Sequence, residues 1–155
     1  MIDLNSRPLS FSSLKEFALS PKHYMEYITK KKESTPDMIL GSAFHCFILE
    51  NEKFDEKYVV SPKFDRRTKE GKEKAESFES VNIGKTTITN EQYEVLLLCV
   101  ESFTNHKPAL KLFSERIEVE KKISFEVEEL PFTGYIDAIG FDFIFDIKMV
   151  QSSHP

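Results

Sequence analysis

Two carboxylates and a lysine gather near the end of the chain: Gly134-Tyr135-Ile136-Asp137, then Asp146-Ile147-Lys148. The spacing predicts a hairpin, with a strand over 132–139, a turn at Gly140-Phe141-Asp142 and a strand over 143–148. In the second strand Ile144, Asp146 and Lys148 face one way, and Phe143, Phe145 and Ile147 the other. With the turn centred between Phe141 and Asp142, residue 139 pairs with 144, and Asp137 stands opposite Asp146. Like charges directly opposite each other destabilise a ladder. A divalent cation between them turns that repulsion into a site, because hard cations such as Mg2+ take oxygen ligands. Asp and Lys are also ordinary at strand ends, so the hairpin alone leaves a metal site and a solvated strand end both open.

The elements before the hairpin are mostly helical. Ser13-Leu14-Lys15-Glu16 fits a capping box and predicts a short helix start, interrupted at Ser20-Pro21. A second helix follows with Pro21 as its first residue, and Lys30, Lys31 and Lys32 end it as the macrodipole favours. Pro36-Asp37 opens an apolar helix through Glu50, on which Gly41, His45 and Leu49 share a face. A lone histidine on such a helix is usually a hydrogen-bonded core residue, and Glu50 reads as a helix-end residue. Residues 51–60 read as a short helix and a strand at Tyr58-Val59-Val60. Residues 63–80 read as a charged helix, and Thr89 to Gln92 as a capping box for a helix through Phe103, with Pro108 as punctuation. Residues 117–127 form the clearest strand. Ile117, Val119, Ile123, Phe125 and Val127 lie on one face, broken only by Lys121, and Glu118, Glu120, Lys122, Ser124 and Glu126 on the other. Glu120 reads there as a solvated strand residue near the hairpin.

Helices first and a β-meander late predict an α/β domain, a central mixed sheet flanked by helices. At 155 residues, 40% of them apolar, the chain suits one domain with a full core. A net charge of −5 argues against a uniformly basic nucleic-acid binder, but not against a local basic channel beside acidic metal ligands. Residues 63–74 are such a local excess: Lys63, Arg66, Arg67, Lys69, Lys72 and Lys74 against Asp65, Glu70 and Glu73. A mixed run of this kind is either a solvated helix face or a grip on backbone phosphates. Cys46 and Cys99 sit in apolar helical contexts and read as buried thiols. No apolar run approaches membrane-spanning length and the N-terminus does not resemble a signal peptide, so no membrane association and a cytoplasmic location are expected.

Leu40-Gly41-Ser42-Ala43-Phe44-His45, Gly134-x-x-Asp137 and Asp146-x-Lys148 together resemble the PD-(D/E)XK nuclease superfamily. They are most similar to phage and prophage exonucleases of the RecE-like branch, related more distantly to RecB-type nuclease domains and lambda exonuclease. Ser12-Ser13-Leu14-Lys15 with Ser20-Pro21-x-x-Tyr24 is similar to that branch's N-terminal signature, and Arg67-x-x-x-Gly71-Lys72 to its central basic segment. The resemblance implies a restriction-endonuclease-like core and metal-dependent hydrolysis of DNA phosphodiesters at duplex ends, used in recombination. It implies His45, Asp137 and Asp146 as ligands of Mg2+, or of Mn2+ in its place, with the Ile147 carbonyl as a further oxygen. Lys148 would act on the attacking water and the developing charge, and Arg67 and Lys72 would contact DNA. A single-strand annealing protein and a ring-like homo-oligomer are the implied partners. The chain reaches Pro155 without the helix that family members carry after the Asp-x-Lys strand, which implies a single domain over 1–155, incomplete at its C-terminus. Two rival expectations follow: a non-catalytic DNA-binding remnant of the same fold, and a structural domain whose Asp and His residues are incidental.

Overall fold

The computed structural model describes residues 7–30 and 33–150, and the expected helix-ending Lys31 and Lys32 lie outside them. The helices are α1 Phe11–Leu19, α2 Pro21–Thr29, α3 Pro36–Leu49, α4 Phe54–Lys57, α5 Lys69–Val81, α6 Asn90–Asn105 and α7 Lys107–Ser114. The strands are β1 Tyr58–Ser61, β2 Thr86–Thr89, β3 Glu118–Val127, β4 Leu130–Ile139 and β5 Ile144–Phe145. The expected α/β class holds, with the strands divided between two small sheets: β1 parallel to β2, and β3-β4-β5 antiparallel. The chain forms two compact units, Met1–Ser34 with Arg116–Asp146, and Thr35–Glu115 with Ile147–Pro155.

In the first unit α1 begins earlier than expected. Ser10, extended at φ −121° and ψ 162°, is the cap. Its hydroxyl accepts from the Ser13 N–H at 3.2 Å, and the Ser13 hydroxyl accepts from the Ser10 N–H at 2.8 Å. The reciprocal bond needs only an acceptor oxygen, so Ser13 does here what Glu or Gln does in the usual box. Ser20 both closes α1 and caps α2, accepting from the His23 N–H, and Pro21 takes the first turn as expected. Leu9 joins the sheet at β4, donating to the Pro131 carbonyl and accepting from the Thr133 N–H, both at 2.8 Å.

The β3–β4 ladder runs from Glu118 with Ile139 to Val127 with Leu130. Glu128 and Glu129 make the connecting turn at φ 49° and 66°. That is the left-handed geometry a two-residue hairpin requires at both positions, normally supplied by Asn or Gly. The expected strand over 143–148 shortens to Ile144–Phe145. The Gly140 N–H donates to the Phe143 carbonyl at 3.0 Å, and the Phe143 ring lies where a Cβ on residue 140 would be. The chain thus folds tightly on itself, and among the described residues β5 is the outermost strand of its sheet.

The second unit is built on α3, α6 and the β1–β2 pair. Ala43, Cys46, Phe54, Ile88 and Leu96 form its buried cluster, with Ile88 and Leu96 fully enclosed. Phe54 anchors it, edge-on to Phe47 at 5.0 Å and stacked on Tyr58 at 5.2 Å. The strand Thr86–Thr89 was not expected from the sequence. Its four residues form a run too short for periodicity, and only Ile88 is buried. The helix expected over 63–80 begins instead at Lys69, because Thr68 caps it and Asp65 forms a turn before it. The Asp65 carboxylate accepts from the Arg67 N–H at 3.1 Å and its carbonyl from the Thr68 N–H at 3.1 Å, a local arrangement that competes with helix. Pro108 sits in the first turn of α7, which begins at Lys107, rather than merely ending α6. Both cysteines are free thiols, Cys46 buried and Cys99 half-buried. Burial pushes the Cys46 thiol above its ordinary value.

Candidate metal centre

Three acidic residues lie on or next to the antiparallel sheet: Glu120 on β3, Asp137 on β4 and Asp146 directly after β5. The β4–β5 register pairs Ala138 with Phe145 and Ile139 with Ile144. One step further it sets Asp137 against Asp146, which lies immediately after β5. The β3–β4 register pairs Val119 with Ala138 and Lys121 with Ile136. The position between them sets Glu120 against Asp137. Residues directly opposite share a face, and the Glu120 and Asp137 carboxylates do come together, whereas Asp146 lies just past the end of β5. Asp137 and Glu120 are half-buried and Asp146 is exposed. A carboxylate oxygen of Glu120 lies within 4.8 Å of one of Asp137.

Glu120 has φ 49° in the middle of a strand. That left-handed backbone costs a residue with a Cβ about 1–2 kcal/mol. Taken as a solvated strand residue in the sequence, Glu120 is instead half-buried and faces Asp137. The β3–β4 register would have revealed it, but Glu128-Glu129 carries no turn signal from which that register could be drawn.

His45 is carried by α3. Thr35 caps that helix, its hydroxyl accepting from the Met38 N–H, Pro36 fills its first turn and Asp37 sits at its positive end. Ala43, Phe44, Cys46 and Leu49 are buried while His45 is half-buried, its ring edge-on to Phe44 at 6.5 Å. His45 on the second unit, and Glu120 and Asp137 on the first, are each of a residue type that ligates metal ions. Imidazole nitrogen with carboxylate oxygens suits the divalent ions of hydrolytic sites.

Ile147 is buried and Lys148 is exposed, both in the irregular segment after β5. Glu50 serves the helix end, as expected. It closes α3, and its carboxylate binds Lys53 and, at 2.7 Å, Lys57. Hydrogen bonds from those two ammonium groups hold the Glu50 carboxyl below the ordinary carboxylate value.

The basic segment is largely paired within itself. Arg66 meets Glu79 at 2.6 Å, Lys74 meets Glu70 at 2.6 Å, and Arg67 reaches Asp65 at 3.4 Å. These pairs are exposed and contribute little each. Arg67 lies in the loop before α5, Lys72 on α5 itself, and both are exposed. Gly71, between them, is required by packing: a Cβ there would collide with the Asp65 carbonyl.

A family described as a PDDEXK-like domain of unknown function (DUF3799) matches residues 10–155. The chain belongs to that family, and its fold is therefore PDDEXK-like, a fold of the nuclease type. No curated protein matches the chain. Among the described residues, no helix is long and apolar enough to cross a membrane.

Proposed function

We propose that this protein hydrolyses DNA phosphodiester bonds with the help of a divalent metal, Mg2+ or Mn2+, as an exodeoxyribonuclease of the RecE-like phage type acting on duplex ends. The observation that carries the reading is the pairing of Ala138 with Phe145, immediately next to Asp137 and Asp146, in a PDDEXK-like chain that has Lys148 two residues further on. Asp137, Asp146, His45 and the Ile147 carbonyl are the ligand set. When bound, the ion absorbs charge that develops on the phosphate and lowers the pKa of water. Lys148 orients the attacking water and stabilises the same developing charge. Water adds to phosphorus, the phosphorus–oxygen bond to the leaving strand breaks, and that oxygen is protonated from solvent.

Arg67 and Lys72 contribute sequence-independent attraction to backbone phosphates. Single-domain organisation over 1–155, a ring-like homo-oligomer and a single-strand annealing partner accompany this reading.

The test is digestion of end-labelled linear duplex and of closed circular DNA with Mg2+, Mn2+ or EDTA, using wild type and Asp146→Asn. Metal-dependent loss of linear duplex alone, absent in the variant, is the expected result. DNA binding without cleavage in any metal supports the non-catalytic rival. Cleavage unaffected by Asp146→Asn removes the hairpin from the site.

A further inference from the structure

Asp137 shares its side of the sheet with side chains that the metal chemistry does not use. Strand β4 has no residue with positive φ, so residues two apart on it face the same way. Tyr135 therefore stands on the Asp137 face, roughly 7 Å along the strand. In the β3–β4 ladder Lys122 is the direct partner of Tyr135, and Ser124 of Thr133. Directly opposed residues share a face, so all four belong to this side. Tyr135 is 65% exposed, and Lys122 and Ser124 are exposed. Neither of these two rows holds a carboxylate. Away from Asp137 the face thus changes from acidic to cationic and aromatic, then to hydroxyl-bearing.

A nucleotide presents the complementary chemistry, a flat base and an anionic phosphate. Bases stack on aromatic rings without regard to sequence. An ammonium group is a compact point charge that suits a phosphate. Lys122 would also draw phosphate towards carboxylates that otherwise repel it.

We propose that Tyr135 and Lys122 form a nucleotide subsite beside Asp137, the Tyr135 ring stacking on an unpaired base and the Lys122 ammonium holding a phosphate of the same strand. The inference rests on the nuclease reading of Asp137 and deepens it by naming the form of DNA held there. A base inside a duplex has both faces covered, so the occupant is a single-stranded or frayed DNA end.

The test is binding of a dye-labelled oligothymidylate to the full chain by fluorescence anisotropy in EDTA, where metal-dependent cleavage is off. Tyr135→Ala is expected to weaken binding at least about fivefold, and Tyr135→Phe, which keeps the ring, to bind as wild type. Lys122→Ala is expected to weaken binding and to reduce the slope of log affinity against log salt by about 0.7. Lys30→Ala, at a surface lysine of the same unit paired with Glu26, should change neither. A fluorescent adenine analogue at the oligonucleotide end should be quenched by wild type and by Tyr135→Phe, but not by Tyr135→Ala. If Tyr135→Ala binds as wild type while wild type still cleaves linear duplex with metal, this inference fails and the nuclease reading stands. Equal losses in Tyr135→Phe and Tyr135→Ala would overturn the stacking. If wild type neither binds oligothymidylate nor cleaves duplex in any metal, both readings fail. Should Tyr135→Ala not fold, Tyr135→Thr suits an exposed strand position. It is expected to show the same loss, and normal binding by that variant overturns the proposal.

Discussion

Asp137 and Asp146 each lie one residue beyond Ala138 and Phe145, the last paired residues of the β4–β5 hairpin. Directly opposed carboxylates cost a sheet stability unless something positive joins them. Asp146→Asn is therefore expected to leave the metal-free melting temperature unchanged or raised, and to abolish the rise that Mg2+ or Mn2+ gives wild type. Melting curves with and without metal check this. A variant that melts well below wild type in EDTA would show the carboxylate to be structural.

Lys148 is exposed and two residues beyond Asp146. Acting on water and on charge that appears only during hydrolysis, it should affect turnover more than binding. Lys148→Ala is expected to reduce the single-turnover rate by at least about a hundredfold. Mn2+ affinity and DNA affinity should be little changed. A defect recovered at saturating DNA would make Lys148 a phosphate anchor instead.

The Glu128-Glu129 turn is strained by composition rather than by design of the sheet. Glu128→Asn and Glu129→Gly accept positive φ more readily. Each is expected to stabilise the protein by up to about 1–2 kcal/mol of relieved left-handed strain, less for glycine because it frees the unfolded chain, read as a higher denaturant midpoint with an unchanged slope. A lower midpoint would mean that the glutamate side chains make contributions exceeding the backbone strain.

Glu50 gives a pH dependence. Its carboxyl titrates below the ordinary 4.5 in the folded protein because Lys53 and Lys57 bind it. A depressed folded value means that the contribution is fully present above about pH 4.5 and is lost as pH falls through the lowered value. With both lysines half exposed, the contribution is about 0.5–1 kcal/mol. Glu50→Gln should be less stable than wild type by that amount at neutral pH, and the gap should close in acid. Mn2+ binding should be the same in both proteins. A gap independent of pH would assign the effect to packing.

What could be read from the sequence divides along a physical line. The hairpin register was legible because Gly140-Phe141-Asp142 marks its turn, and strand period then fixes every pair. Helix α3 and the capping box at Thr89 were legible from Thr, Pro and Gln at their proper offsets. Ser10 was passed over because a serine stands where the usual box has Glu or Gln. The β3–β4 turn was hidden because Glu128-Glu129 looks like solvated strand, and the place of Glu120 beside Asp137 was hidden with it. Strand β2 was hidden because its pairing with β1 is made across the whole of α5.

That parallel pairing has a kinetic consequence. Tyr58 must find Thr86, and Ser61 must find Thr89, with the intervening chain closed into a loop before either contact rewards it. Ile88, enclosed at the centre of the second unit, reaches its place only then. The antiparallel hairpins of the first unit close over two-residue and four-residue connections. Local hairpins form in microseconds, and non-local parallel pairs form more slowly. Refolding should therefore give the antiparallel sheet of the first unit early and the Ile88 core of the second unit late.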